Sequence, residues 1–256
     1  VDWFMDPGSY FFELCPATCY TTLNIRGDKI GFRAATNWRN LPPGKTEPLE
    51  AQIRVDPKIE GTGPTYYLLL IKTGHKYDHV LISKEKDFNK TIILAEGEWT
   101  DWLYEEFHLN TGLIQAPVRF KLVELSEDGG RIRLYRSQVY PLSGFTSPRE
   151  LGRTLCGRLG PYINEDAGHA YSKGWIDWET LREELEYQIR WIGESSRYLM
   201  DTSKASLYFI HWHFLDTLQH HCLGRMDPAG GMFDPSQADK AWDELSKLLS
   251  KGDTKA

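Results

Sequence analysis

The pattern of apolar residues changes once along the chain, close to Leu142, and this change limits the folds that are open to it. Before Leu142 the apolar residues occur in short runs or alternate with polar ones, which is typical of strands. After Leu142 they recur every three or four residues, which is typical of helices. We therefore predict an α+β protein in two parts, a β-rich domain over residues 15–142 and a helical segment over residues 143–256.

The clearest strands of the first part lie on either side of "SEDGG", a turn rich in residues that tolerate positive φ angles. After this turn Ile132 and Leu134 alternate with Arg131 and Arg133, so one face of the strand should be buried and the other wet. The runs "PTYYLLLIKTG", "HVLIS" and "KTIILAEGE" predict further short strands. Many short strands with frequent turns favour an antiparallel β-sandwich or a barrel-like domain.

The second part contains three predicted helices and one predicted strand. The first helix should begin at Ser147 as N-cap, the second after Asp177 and the third after Asp234. The apolar stripe of the second helix consists of Trp178, Leu181, Leu185, Ile189 and Ile192, and that of the third of Ala241, Leu245, Leu248 and Leu249. Between them "KASLYFIHW" is apolar without alternation, which predicts a buried strand of a parallel sheet. One strand is not a sheet, so we expect this part to belong to a larger α/β core.

Composition excludes several classes of function. The apolar fraction of 41% and the charged fraction of 26% are those of a globular protein, and the net charge of −6 disfavours a nucleic-acid polymer as partner. No apolar run reaches the roughly 20 residues of a membrane-spanning helix. The chain has neither an initiator Met nor a secretion leader, so we expect a piece of a larger, cytoplasmic protein. Its four cysteines are too scattered for a disulfide framework and should be reduced, mostly buried thiols.

The stretch "YFIHWHFLDTLQHHCLGRMDP" contains four of the eight histidines of the chain. Asp216 and His220 are four residues apart, and on a helix both would lie on one face. A carboxylate oxygen and an imidazole nitrogen placed in this way can bind one divalent cation, although zinc needs at least a third ligand. His211 and His213, on the predicted strand, either add ligands or pack and hydrogen-bond. Of these two we rank His213 as the third candidate ligand.

From Ala205 to Asp253 the sequence resembles the metal-ligand segment of the type I phosphodiesterase/nucleotide pyrophosphatase family, in the alkaline phosphatase superfamily. In that family an apolar strand delivers an Asp, a His follows four residues later, and both bind the second of two zinc-like ions. The resemblance implies that Asp216 and His220 are metal ligands, with Gln219 where the family usually has Gly. It covers about a fifth of the chain, extends more weakly through Ser147–Met200 and leaves out the β-rich part. The resemblance therefore implies that residues 15–142 are an insertion or cap domain on the catalytic core.

The same resemblance implies a metal-dependent phosphohydrolase that acts on phosphodiester or pyrophosphate bonds of a small phosphorylated substrate. Such an enzyme uses a Thr or Ser nucleophile and two divalent ions, by implication zinc, although manganese or iron would also suit carboxylate and imidazole ligands. We find no segment for the nucleophile or for the remaining ligands. We therefore expect a fragment without catalytic residues of its own, inactive alone and completed by the rest of the catalytic core.

A second hypothesis comes from the aromatic residues of "GEWTDWLYEEFHLN", which places Trp99, Trp102, Tyr104 and Phe107 close together. Aromatic platforms on β-sandwiches can stack on sugars or nucleobases, which would make the chain a non-catalytic module that binds carbohydrate or nucleotide. The alternative is that these residues fill the core. Exposure of Trp99 and Trp102 on one face would favour the binding module, and burial of both would exclude it.

Two other motifs look like metal sites but are interpreted as structural. "EDAGHAYSKG" contains Asp166 and His169, but their spacing is three, no apolar strand precedes them and the segment is predicted to be a loop. "GHKYDH" contains His75, Asp78 and His79 and is predicted to be a polar turn between strands.

Overall fold

The computed structural model describes residues 4–5, 12–44, 47–164, 167–203, 207–208 and 214–255, with the backbone alone for 4–5, 214–215 and 251–255. The strands are β1 Phe4–Met5, β2 Thr18–Thr21, β3 Asp28–Lys29, β4 Arg33–Ala34, β5 Leu49–Arg54, β6 Gly61–Thr62, β7 Thr65–Thr73, β8 Lys76–Ser83, β9 Ile92–Ala95, β10 Leu103–Leu109, β11 Gly112–Val118, β12 Phe120–Leu125, β13 Ile132–Arg136 and β14 Thr146–Ser147. The helices are α1 Arg149–Leu159, α2 Ala167–Ser172, α3 Trp178–Thr202, α4 Phe214–Met226 and α5 Ala238–Lys255, with a short 3-10 turn at Phe88–Lys90. The predicted α+β class with antiparallel sheets is confirmed.

The described residues fall into two compact units. The β unit lies within residues 9–142 and 169–180, and the helical unit within 1–8, 143–168 and 181–256. None of the helices in the described ranges combines the length and the apolar content that are required to cross a membrane.

Besides a smaller apolar cluster of Trp38, Leu69, Ile71 and Leu81, the β unit has a main core that is built by three sheets. Their strand orders are β4-β5-β7-β8-β9, β12-β13-β2-β3 and β11-β10-β6, and neighbouring strands are antiparallel except for the β2–β3 pair. Buried residues from all three sheets form a single cluster, which includes Ile53, Leu68, Val80, Phe107, Val118, Phe120 and Leu134. The three sheets therefore bury their apolar faces against one another, as in a sandwich or barrel.

The predicted hairpin is formed by β12 and β13, which pair in antiparallel fashion across the "SEDGG" turn. Gly129 in this turn has a φ of 71°, a conformation that glycine adopts without a steric penalty. Ile132 and Leu134 are buried, and on the other side Arg133 pairs with Glu124 at 2.8 Å. The other three predicted runs correspond to β7, β8 and β9.

Glu50 of β5 is a buried carboxylate with several partners. Its side chain accepts a hydrogen bond from Trp38 Nε1 at 2.9 Å and pairs with Lys86 at 2.7 Å and with Arg33 at 3.2 Å. Burial raises the pKa of Glu50, but hydrogen bonds from Lys86 and Trp38 outweigh this effect and hold the pKa below its ordinary value of 4.5. The folded state therefore favours the charged form of this group.

Replacing Glu50 with glutamine should lower the free energy of unfolding at pH 7 by about 1–3 kcal/mol, because Lys86 and Trp38 lose a charged acceptor. The carboxylate stabilises the fold fully above its unfolded pKa of 4.5 and loses this contribution as pH falls through the lower folded pKa. The difference in free energy of unfolding between wild type and Glu50→Gln should consequently become smaller under acid conditions. Urea denaturation at neutral pH and at stepwise lower pH measures this difference. Glu60→Gln, at an exposed glutamate, is the control. A difference that is independent of pH would contradict the assignment.

The helical unit corrects one predicted helix start. We predicted Ser147 as the N-cap of α1, but the cap position is Pro148, which makes no side-chain hydrogen bond. The N–H of Gly152 instead donates to Thr146 Oγ1 at 2.8 Å. The reason is that the chain brings the hydroxyl of Thr146 back to the first turn, where it takes over the role expected of Ser147.

The other two helix starts behave differently. Asp177 is confirmed as the cap of α3, since its Oδ1 accepts hydrogen bonds from the N–H of Thr180 at 2.8 Å and from its hydroxyl at 2.6 Å. Helix α5 begins at Ala238, later than predicted, because Asp234 closes a separate turn by accepting from the N–H of Ser236 at 2.9 Å. The buried residues of the two predicted stripes are Leu181, Leu185 and Ile189 in α3 and Ala241, Leu245 and Leu248 in α5.

The predicted strand over residues 204–212 lies outside the described residues except for Leu207 and Tyr208. These two residues belong to neither a helix nor a strand. The strand and its place in a parallel sheet therefore stay predictions.

Candidate functional site

Helix α4 carries the two predicted metal ligands and packs against α5 within the helical unit. Leu218 and Cys222, one turn apart on α4, are fully buried. Asp216 lies in the first turn of the helix, where the helix dipole favours a carboxylate. The positions that are not buried between the helices are therefore free to carry polar groups, and Asp216 and His220 occupy two of them.

Asp216 and His220 lie on consecutive turns of α4 with both side chains in solvent. Asp216 Oδ1 is 3.4 Å from His220 Nε2, and the side chains are 64% and 75% exposed. Two ligands at about 2.0–2.1 Å from a tetrahedral zinc ion are about 3.4 Å apart. The two donor atoms are thus as far apart as two ligands of one ion, and both are accessible.

Two donors do not complete a metal site. Within the described parts of the chain, no group of three or more His, Cys, Asp or Glu side chains is placed to hold a metal ion. His211 and His213, the other candidates, lie outside the described residues. His221 lies elsewhere on α4, with its ring close to Gly168 of α2, where an added Cβ would be 2.8 Å from Nε2. A metal ion held by Asp216 and His220 would therefore need further ligands from residues beyond those described.

The four cysteines are free and buried, as predicted. Burial raises the pKa of the Cys15 thiol to about 11, that of Cys19 to about 12 and that of Cys156 to about 11. Burial also raises the pKa of Cys222 on α4. A metal ligand or a nucleophile must be a thiolate, so these thiols are unsuited to either role at neutral pH.

The two motifs that were interpreted as structural show no metal site among the described residues. His169 lies exposed on α2, and Asp166 is outside the described residues. The loop predicted for this segment was wrong from Ala167 onward, where α2 begins. In the second motif the turn consists of Gly74 and His75 alone, so the predicted turn was wrong from Lys76 onward, where β8 begins. His79 Nδ1 lies 2.7 Å from Asp78 Oδ1 on β8, a local pair between sequence neighbours.

Trp99 and Trp102 are both half-buried. They are neither exposed on one face, as a binding platform requires, nor fully buried in the core. The guanidinium of Arg119 lies between them, 4.1 Å from the Trp99 ring centroid and 4.4 Å from that of Trp102. Trp99 also contacts Tyr135 edge-to-face at 5.9 Å. Since Arg119 covers one face of each ring, this cation–π stack accounts for both tryptophans without a bound sugar or base.

A second group of residues escaped the sequence analysis. A cleft of about 690 Å³ in the β unit is lined by residues that include Tyr20, Lys29, Arg136, Lys173 and Trp175. These residues come from three distant segments, so that no local motif joins them. The only signal was the strand alternation itself, which puts Arg136 on the same face as the buried Ile132 and Leu134.

Comparison of the chain with models of known protein families, with curated proteins and with solved structures found no match. The chemistry of the chain therefore has to be derived from its own residues. Among the described residues, an exposed carboxylate–imidazole pair lies on α4 and a charged cleft lies in the β unit.

Proposed function

We propose that the chain is part of a metal-dependent phosphohydrolase that cleaves phosphodiester or pyrophosphate bonds, in which Asp216 and His220 bind one of two divalent ions. The separation of 3.4 Å between their donor atoms carries this proposal. With this separation, the four-residue spacing that the sequence predicted lets both donor atoms reach a single ion. An Asp and a His at this spacing also form ordinary ion pairs on helix surfaces, so binding of a metal has to be measured.

The two residues have distinct tasks in such a site. Asp216 supplies a negative oxygen and His220 a neutral imidazole nitrogen, a donor set that suits zinc and also manganese or iron. Helix α4 holds both donors on consecutive turns, and its buried residues Leu218 and Cys222 anchor it against movement. When bound, the ions supply charge stabilisation for the phosphoryl group.

The remaining parts of the site are proposed to come from the rest of the catalytic core. They comprise the Thr or Ser nucleophile, the other ligands of this ion and the ligands of the second ion. The substrate is proposed to be a small phosphorylated molecule. We further propose a cytoplasmic location, which the four free thiols favour because disulfides are rare in reducing compartments.

The metal content of the protein that carries this chain tests the proposal. After dialysis against zinc, Asp216→Ala and His220→Ala should each contain close to one zinc ion less per chain than wild type, because each variant lacks one side chain that binds the ion directly. Asp239→Ala is the matched control, since Asp239 is also an exposed carboxylate in the first turn of a helix. Its variant should retain the wild-type metal content. Equal metal content in all four proteins would refute the assignment.

A further inference from the structure

The cleft in the β unit has a buried floor and a charged rim. It opens where β2, β3 and β13 of one sheet come close to β5 of another, next to residues 173–175. The buried residues of its lining are Ala17, Tyr20, Ile53, Arg136 and Trp175, and the charged residues of its rim are Asp28, Lys29, Arg54, Asp56 and Lys173. Its volume of about 690 Å³ lies within the range of roughly 300–1,000 Å³ that small-molecule sites occupy.

Arg136 is the unusual member of this lining. Only 3% of the residue is exposed, although the guanidinium group remains charged under all ordinary conditions. It donates to the carbonyl oxygen of Ser137 at 2.8 Å and to that of Pro16 at 2.6 Å, and its Nε has no hydrogen-bond partner. None of the described carboxylates forms an ion pair with it. A buried cation without a counter-ion is costly, and an anion in the cleft would compensate its charge.

The acids of the rim already have other partners. Asp56 pairs with Arg54 at 2.7 Å, and Asp28 accepts a hydrogen bond from Thr18 at 3.0 Å. Neither carboxylate is thereby directed at Arg136.

The rim lysines, in contrast, have no carboxylate partner in the described structure. Lys29 donates to the carbonyl oxygens of Leu23 and Ile25, and Lys173 lies 4.2 Å from the centre of the Trp175 ring. Four basic and two acidic side chains line the cleft, although the chain as a whole has a net charge of −6. The cleft is therefore a local positive site on an acidic protein.

We propose that this cleft binds a small organic anion whose phosphate or carboxylate group is received by Arg136 and the two rim lysines. A guanidinium presents planar donors that match both kinds of oxyanion, and the apolar floor around Ile53 provides room for a carbon skeleton. The cleft belongs to the β unit, whereas the metal-ligand pair belongs to the helical unit. The proposal consequently does not depend on the phosphohydrolase function.

Calorimetric titration with inorganic phosphate and with succinate, at constant ionic strength and against chloride, tests the cleft. We expect saturable binding of at least one of the two probes, and the comparison between them separates a phosphate from a carboxylate ligand. Arg136→Met should weaken this binding by about 10-fold or more. Lys29→Met and Lys173→Met, which keep most of the aliphatic side chain, should each weaken it by roughly 2- to 5-fold.

Lys76→Met serves as the matched control, because Lys76 is an exposed lysine of the same unit that does not line the cleft. Its affinity for the probes should equal that of wild type. If Arg136→Met does not fold, the two rim variants decide the outcome by themselves. The proposal is overturned if neither probe binds more strongly than chloride. It is equally overturned if the rim variants bind as tightly as Lys76→Met.

Discussion

Hydrolysis of bis(4-nitrophenyl) phosphate by the protein that carries this chain should fall by at least about 100-fold when Asp216 is replaced by alanine. Mutation of a residue that only orients a metal ligand typically lowers metal affinity or activity by about 10- to 100-fold. Loss of a ligand itself should lower the rate by at least the upper end of that range. In the proposed site Asp216 would contribute both a donor atom and a negative charge, and the neutral imidazole of His220 could not replace that charge. Initial rates measured at saturating zinc report the effect.

The controls for this experiment separate chemistry from folding. His220→Ala should cause a loss of similar size, and Asp239→Ala should leave the rate unchanged, because Asp239 shares only the helix position of Asp216. All three side chains are exposed, so their removal should change stability by at most about 1 kcal/mol. A rate in Asp216→Ala within twofold of wild type would defeat the ligand assignment. If the rate fell equally in Asp239→Ala, the loss would follow from removing a carboxylate from the first turn of a helix, and not from loss of a metal ligand.

Replacing Phe120 with alanine should lower the free energy of unfolding of the β unit by about 3–5 kcal/mol. Phe120 is fully buried, and its ring contacts that of Tyr66 edge-to-face at a centroid distance of 5.1 Å. Its backbone N–H donates to Thr100 Oγ1 at 3.0 Å, and its carbonyl accepts from the N–H of Thr100 at 2.8 Å. These backbone hydrogen bonds hold the surrounding chain in place, so the cavity left by the ring should not collapse.

Chemical denaturation followed by tryptophan fluorescence measures this loss, which is a large part of the stability of a typical domain. Tyr104→Ala is the matched control, because it removes a neighbouring aromatic side chain that is 59% exposed. That variant should differ from wild type by less than about 0.5 kcal/mol. Similar losses in the two variants would contradict the assignment of Phe120, and not of Tyr104, to the core.

Much of the β unit could be predicted from local pattern. The alternation around Ile132 and the glycines of the "SEDGG" turn specify a hairpin, because side chains in a strand point alternately to opposite faces and the turn requires a positive φ. The same pattern did not specify which sheets pack together. The bridge between Trp99 and Lys121, which connects the segment before β10 to β12, joins parts of the chain whose contact depends on the whole core.

Helix ends were predicted less well than helix faces. The buried face of α3 follows from its 3.6-residue period, whereas the first turn of α1 depends on which nearby hydroxyl reaches its free N–H groups. Thr146 and Ser147 both carry a hydroxyl that could accept a hydrogen bond from these N–H groups. The path of the backbone brings the hydroxyl of Thr146 within reach, and it accepts from the N–H of Gly152.

The sequence by itself determined the change from strands to helices near Leu142 and the position of Asp216 and His220 on one helix face, since both follow from local periodicity. Only the tertiary structure decided that their donor atoms lie 3.4 Å apart in solvent, because side-chain exposure depends on what packs against α4. It alone also placed Arg136 in a cleft with Lys29 and Lys173. These residues are distant in the chain, and only the packing of the β unit brings their charges together.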